Sequence, residues 1–284
     1  MVGLRERMEE CYAGWQADLP EEPVGVDGQP VPGWRTFFGN CAPLAFDRIP
    51  EDSQIAAGAL VWPGRRNNRP YTAPVGSHVC LPFDGIDPDS VRVVVLGEDP
   101  YPSISGATGR AFEDGTPDAA GEALKLALRV LGQSALDLYG EACPAGFCHG
   151  WEGRAAAIRV SFDQLAEQGV LCLNTSWTYS EPSHKSAHRE LWKPVTTYLI
   201  HRLVERPQGP PVFLLLGTKA ERFFDRLNVY NVPQEGVVRS VHPSERENRY
   251  FAGPNPLQRI NEALQTRRDQ PVAWWSMPAE EALV

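Results

Sequence analysis

The chain has 284 residues, of which 42% are hydrophobic and 22% are charged, a composition typical of one large globular domain or two small ones. Its 25 glycines and 26 prolines predict long connecting loops, but they follow no collagen-like or low-complexity period. The longest strongly apolar runs, Val93 to Leu96 and Val212 to Leu216, are far shorter than the roughly 20 residues that span a bilayer, so no membrane helix is expected.

The net charge of −9 is unevenly distributed along the chain. Residues 1–142 hold 11 basic and 21 acidic side chains, whereas residues 143–284 hold 16 and 15. The overall charge argues against a polyanionic partner, but the second half leaves room for a local basic site for nucleic acid. The N-terminus lacks the basic-then-apolar order of a signal peptide and the six cysteines form no regular framework, so we expect a reducing cytoplasm.

The predicted elements begin with a helix from Leu4 to Trp15, followed by a segment with scattered proline and glycine. Residues 1–79 are therefore expected to be an extension packed on the core of a domain that spans residues 80–284. Four short apolar runs predict strands buried on both faces: Val91 to Leu96, Val170 to Leu173, Val212 to Leu216 and Val237 to Val241. Helices are predicted among and after them: Ala119 to Leu131, Arg154 to Gln168, His188 to Glu205, Lys219 to Leu227 and Pro256 to Arg267. This alternation predicts an α/β fold, with a parallel sheet covered by helices on both faces.

Polar side chains follow three of the four predicted strands. Asp99 stands before a proline after the first strand, Asn174 ends the second and His242 follows the fourth. Each residue alone is more often structural, as a turn cap, a loop start or a buried histidine. Because ligands bind beyond the carboxyl ends of parallel strands, we expect the three to converge. A carboxylate and an imidazole in one pocket suit a reaction that separates charge across a breaking bond, such as N-glycosidic cleavage.

Four motifs in chain order resemble those of family 1 uracil-DNA glycosylases. They are Gly97-Glu98-Asp99-Pro100-Tyr101, Phe112 thirteen residues after Asp99, Leu171-Cys172-Leu173-Asn174, and His242-Pro243-Ser244. The resemblance covers roughly residues 80–265. It implies a three-layer α/β/α sandwich with a central, mainly parallel four-stranded sheet, and an enzyme of DNA repair that hydrolyses the N-glycosidic bond of deoxyuridine after flipping the base out of the helix. No cofactor and no metal are implied.

The resemblance also implies roles for single residues. Asp99 resembles the catalytic aspartate that orients water and stabilises the cationic sugar, and His242 resembles the histidine that donates a hydrogen bond to uracil O2. Phe112 resembles the aromatic residue that stacks on the flipped base. Asn174 resembles the residue that pairs with uracil N3 and O4, which rejects cytosine, and Tyr101 the one that leaves no space for the thymine methyl group.

Three departures from the family pattern lie near this site. Glu98 stands where the family has Gln, and we expect it to be tolerated with its side chain turned away or paired. Pro102 replaces a His and removes a polar group. Arg246 occupies the place of the Leu that wedges into the base stack, and an arginine can fill that gap or contact phosphate. Ser244 is expected to hold a flanking phosphate, so Pro102, Ser244 and Arg246 form the predicted DNA contacts.

Other motifs in the chain were considered for function. A zinc site is not favoured at Cys143, Cys148 and His149, because they lack the paired spacing of zinc ligands. The basic run from Arg65 to Arg69 is interpreted as a solvated loop or a nucleic-acid contact. Three further residues are possible DNA contacts: Lys185, His188 and Arg189. The predicted partner is uracil-containing DNA, single- or double-stranded, bound by a monomer that does not associate with membranes. The alternatives are a related glycosylase for another damaged base, or a catalytically weak protein that binds uracil or abasic sites.

Overall fold

The protein forms a central parallel sheet, as seen in a computed structural model that describes residues 1–25, 28–116, 126–138, 154–244 and 247–274. A small antiparallel pair near the N-terminus consists of β1 (Val2–Gly3) and β2 (Gln54–Ile55). The central sheet has the order β4-β3-β5-β6. Its strands are β3 (Val93–Gly97), β4 (Val170–Asn174), β5 (Val212–Leu216) and β6 (Val237–Ser240), all parallel to their neighbours. The predicted four-stranded parallel sheet is confirmed.

The described helices are α1 (Leu4–Tyr12), α2 (Trp34–Phe37), α3 (Leu126–Asp137), α4 (Arg154–Glu167), α5 (Lys185–Val204), α6 (Thr218–Arg226), α7 (Glu247–Tyr250) and α8 (Pro256–Thr266). Helix α1 ends three residues before the predicted end, because Gly14 adopts a left-handed φ of 66° and breaks it. Helix α5 begins three residues early, directly after a short 3-10 turn that starts at Pro182. Helix α3 continues to Asp137, six residues past the predicted end, while part of its predicted start lies outside the described residues. No described helix is both long and apolar enough to cross a membrane.

Alternate side chains of the sheet enter two separate hydrophobic cores. Leu96, Leu173 and Phe213 face one core together with buried residues of α1, α5 and α6. Val95 and Leu214 face the other, together with residues of α3, α4 and α8. Burying a side chain of this size stabilises the fold by about 1.5–3 kcal/mol relative to exposure. Helices on both faces complete the predicted three-layer α/β/α sandwich.

The N-terminal segment contributes to the first of these cores. Trp15 packs edge-on against Trp177 and Trp192, with ring centroids 5.2 and 5.7 Å apart, and those two rings stack on each other at 4.6 Å. The Tyr12 hydroxyl donates a hydrogen bond of 2.7 Å to the carbonyl of Pro63. Residues before and after position 79 therefore share one hydrophobic core. The boundary between an N-terminal extension, residues 1–79, and a domain from residue 80 stays a prediction.

The basic run predicted as a solvated loop or nucleic-acid contact is held by internal partners. Arg65 pairs with the Asp18 carboxylate, and Arg66 donates two hydrogen bonds to Asp84, at 2.9 and 2.6 Å. Arg69 donates to the carbonyl of a residue four positions later. Arg66 thus fastens the N-terminal segment to the core, and Arg65 and Arg69 form bonds within that segment that the sequence did not predict.

Candidate active site

A cavity of about 340 Å³ lies at the carboxyl edge of the sheet, where β3, β4 and β6 end. Eight of the nine predicted site residues line it: Glu98, Asp99, Tyr101, Pro102, Phe112, Asn174, His242 and Ser244. The ninth, Arg246, lies outside the described residues, as do Cys143, Cys148 and His149. Among the described residues, no group of three or more His, Cys, Asp or Glu side chains is placed to hold a metal ion.

The loop that carries Asp99 is fastened to the loop after the neighbouring strand. The backbone N–H of Thr175 donates to the carbonyl of Gly97 at 3.0 Å, and that of Ser176 donates to the carbonyl of Glu98 at 3.0 Å. The Thr175 hydroxyl donates a second bond to the Glu98 carbonyl, at 2.8 Å. These bonds extend the pairing of β3 and β4 past the sheet and fix the backbone just before Asp99.

The Asp99 carboxylate forms an ion pair with Lys185, at 2.8 Å between Oδ2 and Nζ. Only 17% of the Asp99 side chain is exposed, and this burial, with the neighbouring charge of Glu98, raises the pKa of its carboxyl while Lys185 opposes the rise. Burial alone would lower the pKa of the Lys185 ammonium, but the bond to Asp99 outweighs it and the net shift is upward. Lys185 also lies over the ring of Tyr179, 5.4 Å from its centroid. In this structure Lys185 therefore contacts a predicted catalytic residue.

Glu98, the first departure from the family pattern, forms an ion pair with Lys219 at the start of α6. Of the two arrangements expected for Glu98, turned away or paired, the structure shows the paired one. Because Lys219 is half exposed, the pair is screened by solvent and contributes little stability. Its effect is local, since it compensates a second negative charge beside Asp99.

Asn174 reaches across β3 because its partner in the sheet register is Gly97. A Cβ atom at position 97 would lie 2.5 Å from Asn174 Oδ1 and 3.4 Å from the Phe112 ring. Glycine at this position therefore makes room for the Asn174 amide. Within the described part of the chain, nothing hydrogen-bonds the side-chain amide of the buried Asn174, so its donors and acceptor are available to a ligand.

Phe112 has a φ of 68°, an uncommon conformation for a residue with a bulky side chain. Its carbonyl accepts a hydrogen bond of 3.1 Å from the Tyr101 hydroxyl, and the carbonyl of Tyr101 accepts one of 2.9 Å from the Trp62 indole. Strain of this kind costs about 1–3 kcal/mol and persists only where the surroundings enforce it. The Tyr101 side chain is therefore tied to the backbone that carries the Phe112 ring.

His242 is oriented by the residue two positions later. The backbone N–H of Ser244 donates to His242 Nδ1 at 3.1 Å, and the Ser244 hydroxyl lies 2.6 Å from the same nitrogen. Because Nδ1 accepts the backbone bond, this hydrogen-bond network assigns the proton of a neutral ring to Nε2. Gly217, at a φ of 93°, makes room for the ring, since a Cβ there would lie 2.9 Å from the His242 Cβ.

His188, predicted as one possible DNA contact, is a buried structural residue. Its ring nitrogens lie 2.8 Å from the hydroxyls of Thr178 and Ser180. Burial, with a smaller effect of His184, lowers its pKa to about 3, so the ring is neutral. A side chain that is 1% exposed does not reach DNA in this structure.

Sequence reasoning missed the functions of four residues in the site. Gly97 was considered only as part of a motif and Gly217 was not singled out, although a glycine directly after a buried apolar run is a known sign of close backbone approach. Lys185 was considered for DNA and Lys219 only as a helix start. No local pattern links either lysine to the carboxylates, which lie 86 and 121 positions away in the chain.

The sheet and its cavity define an α/β/α protein with a polar cavity at the carboxyl ends of its strands. A family model described as the uracil DNA glycosylase superfamily matches residues 83–265. A uracil-DNA glycosylase of Limosilactobacillus reuteri (strain DSM 20016) is 33% identical over 210 residues, which are 72% of this chain and 80% of that protein. One from Bordetella petrii is 30% identical over 227 residues, 78% of this chain and 77% of its own.

A solved structure agrees on the fold. The crystal structure of a tyrosine-to-leucine variant of mimivirus UNG in complex with UGI superposes with a TM-score of 0.55 at 19% identity, covering 96% of this chain and 94% of that chain. The chain belongs to the uracil-DNA glycosylase superfamily, as its motifs predicted.

Proposed function

We propose that this chain hydrolyses the N-glycosidic bond of deoxyuridine in DNA, which releases uracil and leaves an abasic site. The observation that carries the proposal is the convergence of Asp99, Asn174 and His242 on one cavity of about 340 Å³. Relatives named uracil-DNA glycosylase, at 30% and 33% identity, support it. Because the reacting bond is inaccessible in a stacked duplex, the target nucleotide flips into the cavity, at a cost of a few kcal/mol.

His242 acts on the leaving base. As the bond between C1′ and N1 breaks, its electron pair moves onto uracil, and negative charge grows on O2. The Nε2–H of the neutral His242 ring donates a hydrogen bond to this oxygen, and the bonds from Ser244 to Nδ1 hold the ring in that tautomer. One preorganised donor of this kind contributes about 10²–10³ in rate.

Asp99 acts on the sugar. Its carboxylate stabilises the positive charge on the sugar ring and orients the water whose oxygen adds to C1′, and the proton of that water leaves through the carboxylate. Lys185 is a positioning residue that keeps Asp99 ionised in its buried place. Pro102, which lines the cavity, has no side-chain group that could form a hydrogen bond. The polar contact to Asp99 comes from the Lys185 ammonium.

The base is selected by shape and by hydrogen bonds. The free amide of Asn174 pairs with uracil N3 and O4, and cytosine would leave buried groups unpaired at a cost of about 1–3 kcal/mol. Tyr101 closes against C5 and excludes the methyl group of thymine. Phe112 stacks on the ring, which contributes about 1–3 kcal/mol.

The remaining predictions concern the DNA strand and the setting. We propose that Pro102, Ser244 and Arg246 contact the strand beside the flipped nucleotide, that the substrate is single- or double-stranded DNA, and that the protein acts as a cytoplasmic monomer. The Ser244 hydroxyl lies against His242 in the described structure, so Ser244 serves the histidine as well as the phosphate.

The test is cleavage of end-labelled oligonucleotides that carry a single uracil, hypoxanthine or thymine, single-stranded and paired, with alkali to reveal abasic sites and a metal chelator in parallel samples. Scission at uracil alone is expected. Scission at hypoxanthine in place of uracil would assign the chain to another damaged base. Tight binding of the uracil strand with no released base over hours would make it a recognition protein.

A further inference from the structure

A second cavity, of about 380 Å³, lies between α5 and α6 on the outer surface. Five cationic side chains line it, and we call them the cationic groove: Arg189, Lys193, Lys219, Arg222 and Arg226. The groove is separate from the base pocket, and no residue lines both cavities.

The cations form two rows that both start at the base pocket. On α5, Lys185, Arg189 and Lys193 are four residues apart and therefore share one helix face. Lys185 begins this row at the Asp99 carboxylate. On α6, the groove is lined by Lys219, Arg222 and Arg226, which are three and four residues apart. Lys219 begins this second row at its ion pair with Glu98. The groove thus leads away from the reacting centre.

The positive charge of the groove is poorly compensated within the protein. Glu190 is the acidic residue in the lining, and it is shared between Lys193 at 3.9 Å and Arg48 at 3.6 Å. Across the described ranges, no carboxylate forms an ion pair with Arg189, Arg222 or Arg226. A chain with a net charge of −9 that gathers unpaired cations beside its ligand site presents them to an anion from outside.

We propose that the cationic groove binds backbone phosphates of the DNA strand that flanks the extruded nucleotide. The α6 side of the groove, from Lys219 to Arg226, extends about 10 Å at the helical rise, which corresponds to about three phosphates of one strand at 3.4 Å each along the duplex axis. Arginine suits such a site because its planar fork of donors matches phosphate oxygens. This inference rests on the proposed function, because it takes DNA to be the substrate.

The test measures DNA binding as a function of salt. The probe is a fluorescein-labelled duplex that carries a tetrahydrofuran abasic-site analogue, and its Kd is followed by anisotropy from about 50 to 200 mM salt. Two lost phosphate contacts reduce the slope of log K against log salt by about 1.8 in magnitude. We expect this change in the double variant R222Q/R226Q. The control R202Q/R268Q removes the same charge at two exposed arginines outside the groove and keeps the wild-type slope.

The outcomes separate the groove from the catalytic proposal. A wild-type slope in R222Q/R226Q, alongside normal uracil release by the wild-type protein, would overturn the groove alone. A reduced slope in a protein that releases no uracil would support the groove and remove the proposed function. If the double variant loses binding to poly-glutamate but not to the duplex, the groove belongs to an acidic protein segment and the inference is wrong.

Discussion

Replacing Gly97 with alanine tests how the base pocket selects uracil. The new Cβ would lie 2.5 Å from Asn174 Oδ1, whereas ordinary van der Waals contact begins at 3.4 Å, so the amide must move by about 0.9 Å. A misplacement of about 1 Å costs on the order of 10² in rate when it disturbs the reacting geometry. This corresponds to about 2.7 kcal/mol at 1.36 kcal/mol per tenfold, within the range for losing hydrogen bonds to a buried amide. We therefore expect kcat/KM for uracil release to fall by about 10².

The fold itself should tolerate this change. Gly97 lies in β3 and has no left-handed φ, so alanine adds no backbone strain, although the side chain of Ala111 at 3.1 Å must also shift slightly. We expect the free energy of unfolding to change by about 1 kcal/mol or less. The control is Gly58→Ala, at a glycine with open space around it, which should leave both activity and stability unchanged.

A double-mutant cycle decides whether the loss acts through the amide. Kinetics are measured for Gly97→Ala, Asn174→Ala and the combination, on single-stranded uracil oligonucleotides. If Gly97 serves only to place Asn174, the double variant is no slower than Asn174→Ala alone, because neighbouring residues that share one role are not additive. Wild-type kinetics in Gly97→Ala, or full additivity of the two losses, would refute the reasoning.

Three further expectations follow from the site and from the N-terminal segment. Asp99→Asn and His242→Ala should each lower single-turnover uracil release by at least ~10², with unchanged thermal unfolding, and intact rates in both folded variants would contradict the mechanism. Lys185→Gln removes a charge that lowers the Asp99 pKa, so that pKa rises further and the acid limb of a kcat/KM profile moves to higher pH; an unmoved limb would show that Lys185 has no such influence. Asp18→Ala leaves the Arg65 guanidinium without its carboxylate and should lower the free energy of unfolding by about 2–4 kcal/mol in urea titrations. The contacts with Arg65 and Arg66 outweigh the effect of burial and hold the pKa of Asp18 below its ordinary value. The stability that the Asp18 carboxylate contributes is therefore present above its unfolded pKa. The difference in free energy of unfolding between wild type and Asp18→Ala should narrow as the pH falls below about 4.

The sequence predicted the sheet and most of the site because both depend on short-range patterns. Continuous apolar runs indicate buried parallel strands, and the carboxyl ends of neighbouring strands must meet at one edge. Asp99, Asn174 and His242 end or follow such runs, so their convergence required only the strand order. Residue roles, in contrast, came from resemblance, since a carboxylate or an imidazole at a strand end serves many reactions.

The parts that were not predicted depend on contacts between distant segments. A run of arginines gives no sign of its partners, and the Asp18 carboxylate that binds Arg65 lies 47 residues earlier. The same is true of Lys185, whose spacing from Asp99 follows no local rule. His188 is the opposite case, since it was considered as a surface contact to DNA and is buried. A buried polar residue in an amphipathic helix cannot be distinguished from a surface residue until its hydroxyl partners are known.

The electrostatics of the site explain why these lysines matter to an acidic protein that acts on DNA. Glu98 and Asp99 place two carboxylates side by side at the mouth of the pocket, where they would repel the phosphates on either side of a flipped nucleotide. Lys219 and Lys185 each pair with one of them, so the rim carries little net charge while Asp99 keeps the negative charge that the proposed mechanism needs. Because both lysines also begin the rows of the cationic groove, the same two helices neutralise the rim and extend a positive surface away from it. A net charge of −9 is therefore compatible with DNA binding, since on the proposed path of the strand the helices beside the pocket set the field that it meets.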